Sequence, residues 1–267
     1  MQLNFRRQGQ GQTVILIHGL FGNLDNLNGL SKDLVEHYDV ISIDVRNHGL
    51  SPRSEQMDYP LMAQDVLALI TQLELKKPWL VGHSMGGKIA MMTAGLAPEL
   101  IAGLVIADMA PVAYEKARHT EVFAGLMAVA ASDCKTRKEA DALLSEHITM
   151  PDVRQFLLKS FIPNASEQTV IGNSTAQTHC WRFNVPALLE NYAFISGWPG
   201  VKPAYLGPVL FIKGAESDYL LPEYQAQVIA QFPQASAKVI PGAGHWLHAQ
   251  KPQLFNRLVM DFLSKVG

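Results

Sequence analysis

Cysteine is nearly absent from this 267-residue sequence, which contains only Cys134 and Cys180. Two cysteines build no disulfide framework, and these two lack the companions of a zinc site. One bridge between them is the most they allow, and free thiols in a reducing cytoplasm are expected. Long hydrophobic runs are also missing. No window approaches the roughly 18 apolar residues a membrane-spanning helix requires. The first eight residues, from Met1 to Gln8, hold Arg6 and Arg7 but no apolar stretch of the signal-peptide kind, so a cytoplasmic location is expected. Nor is there an excess of one charge: 22 Lys and Arg stand against 24 Asp and Glu, a net charge of −2. That balance excludes the electrostatic footprint of a protein that binds nucleic acid or an anionic membrane. Internal repeats, low-complexity segments, metal-ligand spacings and dinucleotide fingerprints are absent too. Gly9-Gln10-Gly11 is too short for a phosphate loop and precedes the first main strand. No metal and no cofactor is expected, and nothing in the sequence speaks to oligomeric state.

What the chain does have is apolar content, 48% of its residues, enough for one large core with an insertion. Short β-rich runs at residues 14–17, 40–43, 79–81, 104–107, 209–212 and 237–240 are bounded by Gly, Pro or Asp and predict buried strands, with a further edge strand over residues 3–7. Between them, residues 26–35, 59–73, 88–97, 223–231 and 252–265 carry helical spacing. Strand alternating with helix predicts an α/β fold with a parallel sheet covered on both faces. The alternation breaks over residues 109–203, where only helical patterns occur, at 115–131, 137–148 and 151–161, followed by a polar, irregular stretch at 163–178. The expected organisation is therefore a core of residues 1–108 and 204–267 with a helical insertion at 109–203. Lying between two strands, the insertion should sit over the strand C-terminal ends, where ligands bind in open α/β sheets.

The motif that carries chemistry is Gly82-His83-Ser84-Met85-Gly86, a G-x-S-x-G sequence placed between a predicted strand and a predicted helix. In that context the serine occupies a sharp turn that holds its Oγ at the top of the sheet. Gly82 and Gly86 relieve the crowding, and Gly87 lets the helix approach the sheet. A serine hydroxyl needs a base within hydrogen-bond reach. His83 adjoins Ser84, but successive side chains do not face one point. His245, in the glycine-rich Pro241-Gly242-Ala243-Gly244-His245-Trp246 after the last predicted strand, ends at the same sheet edge and is the candidate base. The acid that orients the imidazole has two candidates at that edge: Asp108, closing the strand after Ser84, and Asp218, just past the next strand. Spacing favours neither. Developing negative charge on an acyl oxygen needs donors. Met85, following the nucleophile, supplies one backbone N–H, and Leu20 in His18-Gly19-Leu20-Phe21-Gly22 the other, with Gly19 letting the backbone turn.

Together these residues resemble the α/β-hydrolase superfamily over nearly the whole chain. His18-Gly19-Leu20-Phe21-Gly22, Asp44-Val45-Arg46-Asn47-His48-Gly49-Leu50-Ser51, Gly82 to Lys88 and Gly244-His245-Trp246 stand where that superfamily has its landmarks. Asp108-Met109-Ala110-Pro111, Phe156-Leu157-Leu158-Lys159-Ser160-Phe161 and Trp181-Arg182-Phe183-Asn184 are similar to small bacterial carboxylesterases of the YbfF type, with the abhydrolase domain 11 proteins as relatives. The resemblance implies hydrolysis of esters and acyl-CoA thioesters, a small-molecule substrate. It also implies Asp108 as the acid, because the superfamily's usual G-x-x-D position holds Ser217 here and Asp218 comes one residue late; Ser217 then becomes an accessory hydroxyl near His245.

Other residues carry weaker signals. Asp44 to Ser51 is read as structural, with Arg46 and Asp44 tying a loop beneath the site and Gly49 making its turn. Lys88 is read as a packing and salt-bridge residue. Phe21, Trp181, Phe183 and Trp246 are expected to line the substrate pocket, with Trp198 a further aromatic candidate. An acyl-CoA would require a basic entrance, yet residues 109–203 hold nine Lys and Arg and nine Asp and Glu, leaving only a local set of Arg118, Lys159 and Arg182. Carbon–carbon bond hydrolysis, cofactor-free perhydrolysis and non-catalytic ligand binding are the rival functions on the same framework.

Overall fold

The computed structural model describes residues 1–115, 117–163 and 180–266. Seven strands form one sheet: β1 (Phe5–Gln8), β2 (Thr13–Ile17), β3 (Asp39–Ile43), β4 (Trp79–His83), β5 (Gly103–Ala107), β6 (Val209–Gly214) and β7 (Ala235–Ile240). Their order is β1-β3-β2-β4-β5-β6-β7, with β1 antiparallel to β3 and every other pairing parallel. The register brings Ile17 beside Gly82, His83 beside Ala107, and Ala107 beside Ile212. The C-terminal ends of the four central strands therefore lie level, and the loops that leave them share one edge.

The period of two in a strand decides which helices cover which face. Ile15, Ile17, Leu80, Leu104, Ile106 and Phe211 point to one side, against α2 (Tyr59–Gln72) and α3 (Met85–Leu96). Val14, Leu16, Val81, Val105, Leu210 and Ile212 point to the other, against α1 (Asn28–Leu34) and α11 (Pro252–Val266). Each such side chain buried contributes about 1.5–3 kcal/mol, so a continuous apolar run on a central strand stabilises both layers at once. The expectation of a buried strand fails at β7. It lies at the sheet edge, four of its six residues are exposed, and only Ile240 is buried.

Between β5 and β6 the described residues form α4 (Thr120–Ala131), α5 (Arg137–Ser145), α6 (Pro151–Leu158), α7 (Val185–Glu190) and α8 (Tyr192–Ser196). The last two short helices have no counterpart in the sequence reading. Most of the polar stretch at 163–178 lies outside the described residues. Phe161 and Trp181 make an isolated antiparallel bridge. Phe123, Leu126, Leu144, Leu157 and Leu188 of these helices join the same apolar cluster as α2 and α3. Polar clamps add to this packing. Tyr59 Oη donates to Ile195 O (2.6 Å), Met57 N–H to Asn191 Oδ1 (3.2 Å), and Asn184 N–H to Asn47 O (2.9 Å). The other α-helices among the described residues are the short α9 (Gln225–Gln231) and α10 (Leu247–Gln250). No helix among the described residues is long and apolar enough to cross a membrane.

Candidate active site

β4 ends at His83 and α3 begins at Met85, so Ser84 alone makes the turn, at φ 54° and ψ −123°. A non-glycine residue held there costs on the order of 1–3 kcal/mol and persists only where its surroundings over-determine it. They do. Ser84 N–H donates to Ala107 O at 3.0 Å, while Gly87 N–H and Lys88 N–H reach Ser84 O at 2.8 and 3.3 Å. The glycines answer steric demands: a Cβ on Gly82 would stand 2.1 Å from Gly86 O, and one on Gly86 would stand 2.2 Å from Ile17 O.

Asp108 leaves β5 in a second left-handed conformation, φ 52°, and is wholly buried. Its Oδ1 accepts Gly214 N–H at 3.0 Å, and its Oδ2 accepts the Ser217 hydroxyl and His245 Nδ1–H, the latter at 2.7 Å. With a carboxylate at Nδ1, the imidazole keeps its proton there and turns the Nε2 lone pair to Ser84, whose Oγ lies 2.9 Å away. Ser84, His245 and Asp108 thus form one hydrogen-bonded line drawn from three separate loops of the sheet edge. Asp218 stands outside it, largely exposed and paired with Arg118. Ser217 touches the carboxylate rather than the imidazole, and accepts Tyr219 N–H at 3.2 Å.

Around His245 stand Tyr219, His248 and His119, which the sequence does not single out, together with Arg118 and His83. The Tyr219 ring stacks on the imidazole at 3.8 Å and 20°, and the Arg118 guanidinium lies 3.9 Å from the same tyrosine ring. His83 Nε2–H donates to His245 O at 2.8 Å, fixing the loop from below. Burial and the neighbouring His248 and His245 hold His83 well below the usual histidine range, and burial pushes His248 down to about 3. His119, at the start of α4, places its Nδ1 2.5 Å from Tyr192 Oη and is pushed to about 4, chiefly by burial. Tyr219, His248 and His119 belong to no motif and reach the site through tertiary packing.

A cavity of about 1040 Å³ opens above Ser84 and His245, with Leu20, Phe21, Met85 and Trp246 on its walls. Leu20 N–H and Met85 N–H make no hydrogen bond to the described residues. Gly19 approaches Ser84 closely, since a Cβ there would lie 3.1 Å from Ser84 Cβ, whereas the left-handed residue of this loop is Phe21, φ 62°. Trp181 and Phe183 do not line the cavity. They stack on each other at 5.4 Å, almost wholly buried, and Phe183 backs Phe21 at 5.3 Å. Their apolar rings satisfy the interior of the insertion before they reach its surface. Trp198 is likewise behind the wall, against Tyr59.

Lys88 forms no salt bridge among the described residues. Its Nζ donates to Gly197 O (2.8 Å) and Ser196 O (3.3 Å) beside the rings of Tyr114 and Tyr59, and burial lowers it to about 7. Arg118 lines the main cavity, Lys159 lines a neighbouring one of about 480 Å³, and Arg182 lines neither, so the three cations make no common site. Both cysteines are free. Among the described residues no cluster of three or more His, Cys, Asp or Glu is arranged to hold a metal ion.

Comparison with known proteins places these features in context. The family described as "alpha/beta hydrolase fold" matches residues 12–252. The chain is 45% identical to the Escherichia coli (strain K12) protein "Esterase YbfF", over 99% of this chain and 100% of that one. It is 36% identical to the Mus musculus "sn-1-specific diacylglycerol lipase ABHD11", over 94% of this chain and 80% of the relative. Among solved structures, a "Marine microorganism esterase" superposes with a TM-score of 0.88 at 34% identity, covering 98% of this chain and 99% of the other.

Proposed function

The chain belongs to the alpha/beta hydrolase family and is an esterase-type enzyme of the YbfF kind; from that premise we propose that it is a serine hydrolase cleaving carboxylic esters and acyl thioesters through an acyl-enzyme on Ser84. One observation carries the reading. Ser84 Oγ and His245, both lining the cavity of about 1040 Å³, are joined at 2.9 Å, and the buried Asp108 Oδ2 holds the far side of the imidazole at 2.7 Å.

In this mechanism Ser84 Oγ attacks the acyl carbonyl while His245 Nε2 takes its proton. Asp108 holds the imidazole in the required tautomer and stabilises the imidazolium that forms. The carbonyl oxygen, now negative, accepts Leu20 N–H and Met85 N–H. The latter opens α3, so the partial positive charge of a helix start adds to the field. His245 returns the proton to the departing alcohol or thiol. Water then enters, gives a proton to His245 and attacks the acyl-enzyme; the carboxylic acid leaves and Ser84 recovers its hydroxyl. Phe21 and Trp246 form part of the wall against which the acyl chain lies. Residues 109–203 act as a cap on a core of residues 1–108 and 204–267, and Ser217 serves the acid rather than the base.

The test is hydrolysis of a p-nitrophenyl ester series from acetyl to palmitoyl, with acyl-CoA thioesters alongside, by wild type and Ser84→Ala. Turnover of both classes by the wild type, and of neither by the variant, supports the reading. Ester turnover without thioester turnover removes the thioester half, and turnover that survives in Ser84→Ala removes the mechanism.

A further inference from the structure

The motif around Asp44 holds one residue that its structural role as a loop tie does not absorb. His48 is fully buried, yet its ring contacts the loop that supplies the Leu20 amide. Its Nε2 accepts Phe21 N–H at 3.1 Å, and its Nδ1–H donates to Arg46 O at 3.0 Å. His18, 5.1 Å away between ring centroids, repeats the pattern. Its Nε2 accepts Val45 N–H at 3.0 Å and its Nδ1–H donates to Gly19 O at 2.7 Å. A backbone amide can only donate and a carbonyl can only accept, so the four partners fix both rings as neutral Nδ1–H tautomers. Burial agrees, lowering both histidines and taking His48 to about 3.

The consequence falls on the Gly19–Leu20 peptide. In a trans peptide the C=O and N–H point in opposite directions. A donor gripping Gly19 O, here His18 with Gly22 N–H at 3.1 Å, therefore aims Leu20 N–H the other way. Hydrogen bonding to the carbonyl also polarises the amide and makes its N–H a stronger donor. One residue later, Phe21 sits at φ 62° with its own N–H held by His48. Without that acceptor, a buried amide loses its partner and a left-handed residue loses what holds it there.

We propose that His48 and His18 are positioning residues for the oxyanion site, clamping residues 19–21 from both ends so that the Leu20 amide is held free to face Ser84. The inference rests on the serine-hydrolase reading above. Neither histidine touches substrate; both act through the loop backbone.

The experiment compares His48→Leu and His18→Leu with variants that keep the relevant atom. His48→Gln places Oε1 near the Nε2 acceptor, and His18→Asn places Nδ2–H near the Nδ1 donor. In the Leu variants kcat falls roughly 10–100-fold with KM little changed, because displacing a transition-state donor by a fraction of an ångström to 1 Å has that scale of effect. Affinity for a trifluoromethyl ketone, which forms a hemiketal with Ser84 and needs the oxyanion donors, falls by the same factor. Affinity for the carboxylic acid product stays within about twofold, and the Gln and Asn variants recover most of the loss. Folded Leu variants with wild-type kcat and ketone affinity would overturn the proposal, as would equal losses for ketone and product, which mean general damage to the pocket. Should the Leu variants not fold, the ring ¹⁵N shifts of the wild type decide: Nδ1–H tautomers at both residues support the clamp, and an Nε2–H tautomer or an imidazolium at either refutes it. A wild type that neither turns over esters nor captures the ketone instead removes the serine-hydrolase reading itself.

Discussion

Asp108 and Asp218 differ in environment more than in sequence. Asp108 is buried with four partners on its backbone and carboxylate, while Asp218 is largely exposed and paired with one arginine. The expected outcome of Asp108→Asn is a loss of about 10³–10⁴ in kcat, since the amide no longer enforces the tautomer that faces Ser84. Asp218→Asn removes an exposed ion pair and leaves kcat within a few-fold; steady-state kinetics of the two variants side by side check both. Ser84 and His245 were legible because a nucleophile turn and a glycine-rich loop announce themselves locally. The choice of acid was not legible from spacing. It depends on the left-handed turn at Asp108 and on Gly214 and Ser217 arriving from another strand, contacts separated by more than a hundred residues. Tyr219 and His119 were invisible for the same reason: nothing adjacent in sequence marks a ring that stacks on a distant histidine or a wall residue from a helix start.

At the scale of elements, the β4–turn–α3 unit bears the most constraint. A Cβ on Gly86 meets the backbone oxygen of Ile17, which belongs to a central strand and has no room to move. Gly86→Ala is expected to lower unfolding free energy by about 3 kcal/mol or more and to abolish turnover, read from urea midpoints and ester hydrolysis. Lys88, one turn into α3, ties that helix to the end of α8. Burial lowers its folded-state pKa to about 7 from the ordinary lysine value of about 10.5, so between those values the unfolded chain binds the extra proton. Stability relative to Lys88→Met therefore rises with pH across that window and is flat below about pH 6. Denaturation of both proteins from pH 6 to 10 checks the sign. The strands were legible to within two residues because apolar runs between Gly, Pro and Asp have few alternatives. The short α7 and α8 were not, since five or six residues carry too little periodicity, and β7 looked buried because its edge position is a property of the sheet order.

Over the whole molecule, the charge balance bears on which substrates the field favours. With a net charge of −2 and an insertion whose charges cancel, no long-range field draws a polyanion to the cavity. If acyl-CoA thioesters are turned over, kcat/KM is expected to change less than about threefold between low and high ionic strength, matching an uncharged ester; a steep fall with salt would contradict this and indicate a local basic docking surface. The α/β architecture and the interruption over residues 109–203 follow from the spacing of apolar runs, whereas the cavity walls depend on how the insertion folds back, which turned Trp181 and Phe183 inward. The central claim, a covalent acyl-enzyme on Ser84, is tested most directly by acid-quenching the enzyme during turnover of a p-nitrophenyl ester and mapping its mass. A burst of p-nitrophenol and one acyl group on the peptide containing Ser84, both absent in Ser84→Ala, are the expected results. Turnover without an adduct, or an adduct on another residue, would contradict it.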